Sequence, residues 1–141
     1  MLLAVERVAV LRHLDMFSHT PGRVLAGLAH VLEEVDFPAG AELMAAGARE
    51  DWMFVVAEGE VEVRREDRTV RMRAVCVVGE LAVLDPLSRS ATVTAVTAVR
   101  TLRLRKAAFD EAIRLQPEIA RGVIVELVRM LRETHEPRSL A

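Results

Sequence analysis

The chain has 141 residues, with 21 acidic residues against 19 Lys and Arg and a net charge of −2. That length bounds it to one domain with one substantial core, and the near balance of charge excludes a general nucleic-acid binder, which needs a basic surface. A single cysteine, Cys76, excludes an internal disulfide and a thiolate metal cluster.

Residues 1–32 are expected to form two N-terminal helices. Leu3, Val8, Leu11 and Leu14 recur at helical spacing, and Thr20-Pro21 reads as an N-cap and first-turn proline opening a second helix through Val24, Leu25 and Leu28. Charges interrupt every apolar run before the roughly 18 residues a bilayer span needs. The start M-L-L-A-V-E-R-V lacks the pattern of a secretory leader. A cytoplasmic protein with no membrane insertion is therefore expected.

From residue 33 to 105 the texture is that of short strands broken by turn residues, among them Pro38-Ala39-Gly40, Ala46-Gly47 and Glu58-Gly59. Val61 and Val63 alternate with Glu60, Glu62 and Arg64, the mark of a half-buried strand. Arg65 to Arg68 reads as a charged hairpin tip, and the arginines of the returning strand as a solvated face. Val93, Ala95, Leu102 and Leu104 are expected to point one way. About eight strands result, enough for a mainly β fold with flanking α elements: a double-sheet jelly roll or flattened β-barrel. Residues 106–136 complete the single domain with two C-terminal helices, Lys106 to Leu115 and a longer one from Pro117 to about Glu136.

One stretch, Val78 to Val93, has residue types that packing alone does not explain. Gly79-Glu80 opens a short helical turn whose unpaired N–H groups favour an anion. Nine residues after Glu80, Arg89 brings a permanently charged fork able to grip a phosphate, with Ser90 and the small Ala91 beside it. Glu80 would repel a phosphate unless it accepts from another part of the ligand, such as a sugar hydroxyl. The set suggests a sugar phosphate.

G-E-L-A-V-L followed by R-S-A-T-V resembles the phosphate-binding cassette of the cyclic nucleotide-binding domains. F-P-A-G-A-E-L-M (Phe37 to Met44), D-W-M-F-V-V-A-E-G-E-V-E-V (Asp51 to Val63) and the flanking helices follow that family's order over nearly the whole chain. The resemblance implies a cassette at residues 79–92, with Glu80 on the ribose 2′-hydroxyl and Arg89 on the cyclic phosphate. Gly79, Leu81, Ser90, Ala91 and Thr92 fill out the ligand shell. The implied ligand is cAMP, in preference to cGMP, with no metal. Counting from Pro117, the adenine-contacting threonine of the family's transcription-factor branch falls on Thr134, next to His135.

The last helix has more apolar face than a small barrel requires: Ala120, Val123, Leu127 and Met130 are joined by Ile124, Val128 and Leu131. The stripe alone fits packing on the barrel and the first helices, whereas the resemblance implies that this helix closes over the base and meets its copy in a homodimer. Direct DNA binding is not expected of residues 137–141, which leaves output to a separate effector domain or protein. Enzymatic chemistry is not expected. The jelly-roll metalloenzymes need clustered His and Glu on strands, whereas all four histidines lie in or beside helices, and no Ser or Cys has a plausible His and Asp partner. The alternative is a ligand-independent structural or dimerisation module of the same fold. Two departures from the family pattern favour it, Val78 in place of an aromatic residue and Arg73-Ala74-Val75-Cys76 in place of a glycine-containing turn.

Overall fold

The computed structural model describes the chain except for Asp85, Leu87 and Ala141 and the side chains of Met130 and residues 134–140. Helices α1 (Ala4–Arg12) and α2 (Gly22–His30) precede eight strands: β1 (Glu33–Phe37), β2 (Glu42–Met44), β3 (Trp52–Glu58), β4 (Glu60–Arg65), β5 (Arg68–Arg73), β6 (Cys76–Val78), β7 (Thr92–Ala95) and β8 (Val99–Arg105). Helices α3 (Lys106–Leu115) and α4 (Glu118–Leu140) follow. Short 3-10 turns stand at Asp15–Phe17 and Glu80–Val83. The expected second-helix cap is displaced by one residue. Pro21 holds the cap position, accepting from Val24 and Leu25 N–H, while Thr20 is buried and its carbonyl accepts from Arg12.

The strands form two antiparallel four-stranded sheets, ordered β1-β8-β3-β6 and β2-β7-β4-β5. This is the jelly-roll arrangement, realised as two sheets rather than a closed barrel. Strand alternation gives each face of the first sheet its own core. Met53, Val55, Leu102 and Leu104 pack with Leu11, Phe17, Leu25, Phe109 and Ile119 of the helical layer. Phe54, Val56 and Val78 pack with Val61, Val93 and Ala95 between the sheets. Val93 and Ala95 therefore do not share a face with Leu102 and Leu104 as expected. They lie in different sheets and fill different cores.

The last helix is docked near its start, where Ile119 and Val123 are buried, and Leu127 continues the contact. Along its other side Ile124, Val125 and Val128 are exposed. Among the described residues no helix is long and apolar enough to cross a membrane.

Candidate functional site

Where β6 ends, Gly79 turns the chain with φ 76° and ψ 22°, a left-handed conformation that favours glycine. Space demands glycine as well, since a Cβ there would lie 2.6 Å from Arg89 Nη1 and 3.0 Å from Met44 Sδ. The turn at Glu80–Val83 then buries Ala82 and Val83 and leaves Leu81 exposed.

Residues 47–50 meet the other end of the cassette. Arg89 N–H donates to Ala48 O at 2.7 Å, Gly47 N–H donates to Arg89 O at 2.9 Å, and Arg49 bridges Ser88. This pairing carries Glu50 to the Arg89 side chain. The Arg89 guanidinium, 3% exposed, donates from Nε to Glu50 Oε1 at 3.0 Å, from Nη2 to the Trp52 carbonyl at 2.5 Å and from Nη1 to the Gly79 carbonyl at 3.4 Å. The Trp52 end of β3 is itself braced. Its ring lies 5.3 and 5.4 Å from the guanidinium carbons of Arg103 and Arg105, and Glu33 accepts from both arginines.

A cavity of about 330 Å³ opens between the cassette and the β4–β5 hairpin, within the size range of small-molecule sites. Gly79, Glu80, Leu81, Arg89, Ser90 and Ala91 line it, so the structure brings these six expected residues together. Thr92 stands outside the lining. As the next residue along the strand it faces away from Ala91 and Val93, and its hydroxyl accepts the Ala46 N–H at 3.0 Å. The side chains of Thr134 and His135 lie outside the described residues.

Two participants escaped the sequence reading. Glu50 is 39 residues from Arg89, and nothing local in Arg49-Glu50-Asp51 marks the pairing. Arg65 is exposed at the hairpin tip as expected, and it also lines the cavity. The signal for Arg65 was its parity with Val61 and Val63 on one strand face. Among the described residues no cluster of three or more His, Cys, Asp or Glu is placed to hold a metal ion.

Burial, and then the nearby Glu80 carboxylate, push the Cys76 thiol up to about 11. Iodoacetamide should alkylate Cys76 about a hundredfold more slowly at pH 8 than an unperturbed thiol, because only the thiolate reacts. Glu80→Gln should quicken the reaction by removing the repelling charge. Mass spectrometry of timed samples gives both rates, and an unchanged rate in Glu80→Gln would separate the two side chains.

The chain is 28% identical over 132 residues to a CRP-like cAMP-activated global transcriptional regulator of Mycobacterium tuberculosis, covering 89% of this chain and 59% of the regulator. It is 41% identical over 97 residues to the cGMP-dependent protein kinase egl-4 of Caenorhabditis briggsae, covering 68% of this chain and 13% of the kinase. The chain thus spans less than two thirds of these relatives. Among solved structures, the N-terminal domain of a transcriptional regulator from Streptomyces coelicolor A3(2) superposes with a TM-score of 0.79 at 30% identity, covering 90% of this chain and 95% of that one. The Thermus thermophilus catabolite activator protein superposes with a TM-score of 0.81 at 25% identity, over 90% of this chain and 62% of that one. Residues 34–116, from β1 to the end of α3, match the family model of the cyclic nucleotide-binding domain, and the chain belongs to that family.

Proposed function

We propose that the cavity beside Gly79, Glu80 and Arg89 binds a cyclic nucleotide, with cAMP preferred over cGMP, and that α4 passes on its occupancy. The observation that carries this reading is the convergence of a carboxylate, an arginine fork and a glycine turn on one cavity of about 330 Å³ with otherwise largely apolar walls. Glu80 takes the ribose hydroxyl, and Arg89 with Ser90 takes the phosphate. Support for cAMP comes from the cAMP-activated relative. The preference is modest, at most about tenfold to a hundredfold, or roughly 1.4 to 3 kcal/mol.

Transmission runs through the contact between α4 and the cassette turn. Val83 and Leu84 of the turn share a narrow cleft with Val123, Glu126 and Leu127 of α4. A ligand that repositions the turn acts on the helix directly, and it shifts the helix only by its differential affinity for the two positions. The exposed Ile124, Val125 and Val128 face is where α4 meets a second copy or a separate effector. A cytoplasmic setting fits such a sensor.

A second reading, a module that no longer answers to ligand, is favoured by one feature: Glu50 and two carbonyls already occupy the Arg89 guanidinium. Calorimetric titration with cAMP and cGMP, followed by hydrogen exchange at saturation, separates the two. The sensor binds and changes protection both at residues 79–92 and along residues 127–135. Absence of binding establishes the module, and a change confined to the cassette makes the domain a passive binder.

A further inference from the structure

One charged side chain on the cavity wall is not supplied by the cassette. Val61, Val63 and Arg65 alternate onto the inward face of β4, and Val63, Arg65 and Ala91 all line the cavity. Because Arg64 lies opposite Thr92 in the antiparallel ladder, the next step along β4 brings Arg65 level with Ala91, at the phosphate end of the cassette.

The neighbouring arginines on the outer face have partners: Arg64 and Arg71 pair with Glu62, and Arg73 with Glu60. Arg65 has no ion pair or hydrogen bond among the described residues, and its cross-strand partner is a second arginine, Arg68. Like charges directly opposite each other weaken a strand pair. Arg65 is exposed, so packing neither requires nor forbids a cation at this position.

Charge at the site favours one. Leaving Arg65 aside, the described groups at the phosphate and sugar end are one cation, Arg89, and two carboxylates, Glu50 and Glu80. Glu50 offsets Arg89 through a direct ion pair, so an arriving phosphate monoanion meets a net negative surface. With Arg65 included the net charge of these groups is zero, and the net repulsion of the phosphate is removed.

We propose that Arg65 is a second phosphate-binding cation, closing on the cyclic phosphate from the β4–β5 hairpin while Arg89 holds it from the cassette. This rests on the cyclic-nucleotide reading above. Both guanidiniums address the phosphate, so the contribution is indifferent to the base.

The test is calorimetry of the parent protein, Arg65→Gln, Arg65→Lys and Arg68→Gln with cAMP and with cGMP at two salt concentrations. Arg65→Gln should weaken both nucleotides by the same factor, about tenfold or more, as expected for a lost charged hydrogen bond. It should also flatten the salt dependence. Arg65→Lys keeps the charge and should stay within about threefold, and Arg68→Gln, which does not line the cavity, within about twofold. The melting temperature of Arg65→Gln should not fall, since the opposition to Arg68 is relieved. A selective loss of cGMP would overturn the proposal by making Arg65 a reader of the guanine O6 and N7 acceptors, and unchanged binding of both nucleotides would also overturn it. If the parent protein binds neither nucleotide, the underlying reading fails and this one with it.

Discussion

Arg89→Leu should lower the affinity for cAMP by about 2 to 5 kcal/mol, roughly thirtyfold to several thousandfold, the largest single effect expected anywhere in the chain. The substitution has two separate effects, one on binding and one on stability, and they can be measured apart. In binding, the phosphate loses its bidentate donor in a site where the guanidinium is 3% exposed and so screened little by water. In folding, Glu50 is left without its ion-pair partner and the Trp52 carbonyl without its donor. Breaking a fully buried pair costs about 3 to 5 kcal/mol, but Glu50 retains 24% exposure and can be partly rehydrated, so the stability cost should fall below that range. Combining Arg89→Leu with Glu50→Leu should recover stability without recovering binding, and the double-mutant cycle isolates the pair. Glu50→Gln alone should leave the affinity largely in place, because the looser orientation of Arg89 is set against the removal of a negative charge beside the phosphate. Should Arg89→Leu titrate like the parent protein, the phosphate does not sit at the cassette.

How much of this was readable beforehand depended on the range of the interactions. The α3 boundaries, Lys106 to Leu115, agree with the sequence expectation, and the strand expected from the alternation of Glu60 to Arg64 is present as β4, because local periodicity and flanking breakers set them. The convergence of Gly79, Glu80 and Arg89 on one cavity was readable for the same reason, since they lie within one short segment. Partners from elsewhere in the chain were hidden. Glu50 reaches Arg89 only because residues 47–49 pair with residues 88 and 89 across the fold. The two-core arrangement was hidden too. Alternation assigns faces within one strand but does not say which sheet the strand enters, so Leu102 and Ala95 were assigned to one face when they serve different layers. Arg65 is exposed as the four consecutive charged residues suggested, but its parity with Val63, which sets it on the cavity wall, was passed over.

The same substitution at two helical glycines should give opposite signs. Gly27 in α2 has nothing within 4 Å of where a Cβ would stand, so Gly27→Ala should stabilise by roughly 0.5 to 1 kcal/mol through helix propensity alone. Gly122 in α4 carries the same intrinsic cost, but a Cβ there would overlap the Met16 carbonyl oxygen in the Asp15–Phe17 turn. A backbone atom cannot rotate out of the way as a side chain can, so α4 or the turn must shift. Gly122→Ala should therefore destabilise by about 1 to 3 kcal/mol, as overpacking does, and denaturant melts of the two variants side by side give both signs. The consequence for binding follows from position: Val123 and Leu127, on the same helix, share a cleft with Val83 and Leu84 of the cassette turn. Moving α4 away from Met16 changes the support under Glu80, so Gly122→Ala should alter cAMP affinity, whereas Gly27→Ala should leave it unchanged. If Gly122→Ala stabilised the protein as Gly27→Ala does, α4 would not be seated on the Asp15–Phe17 turn in solution, and its contact with the cassette could not carry a signal.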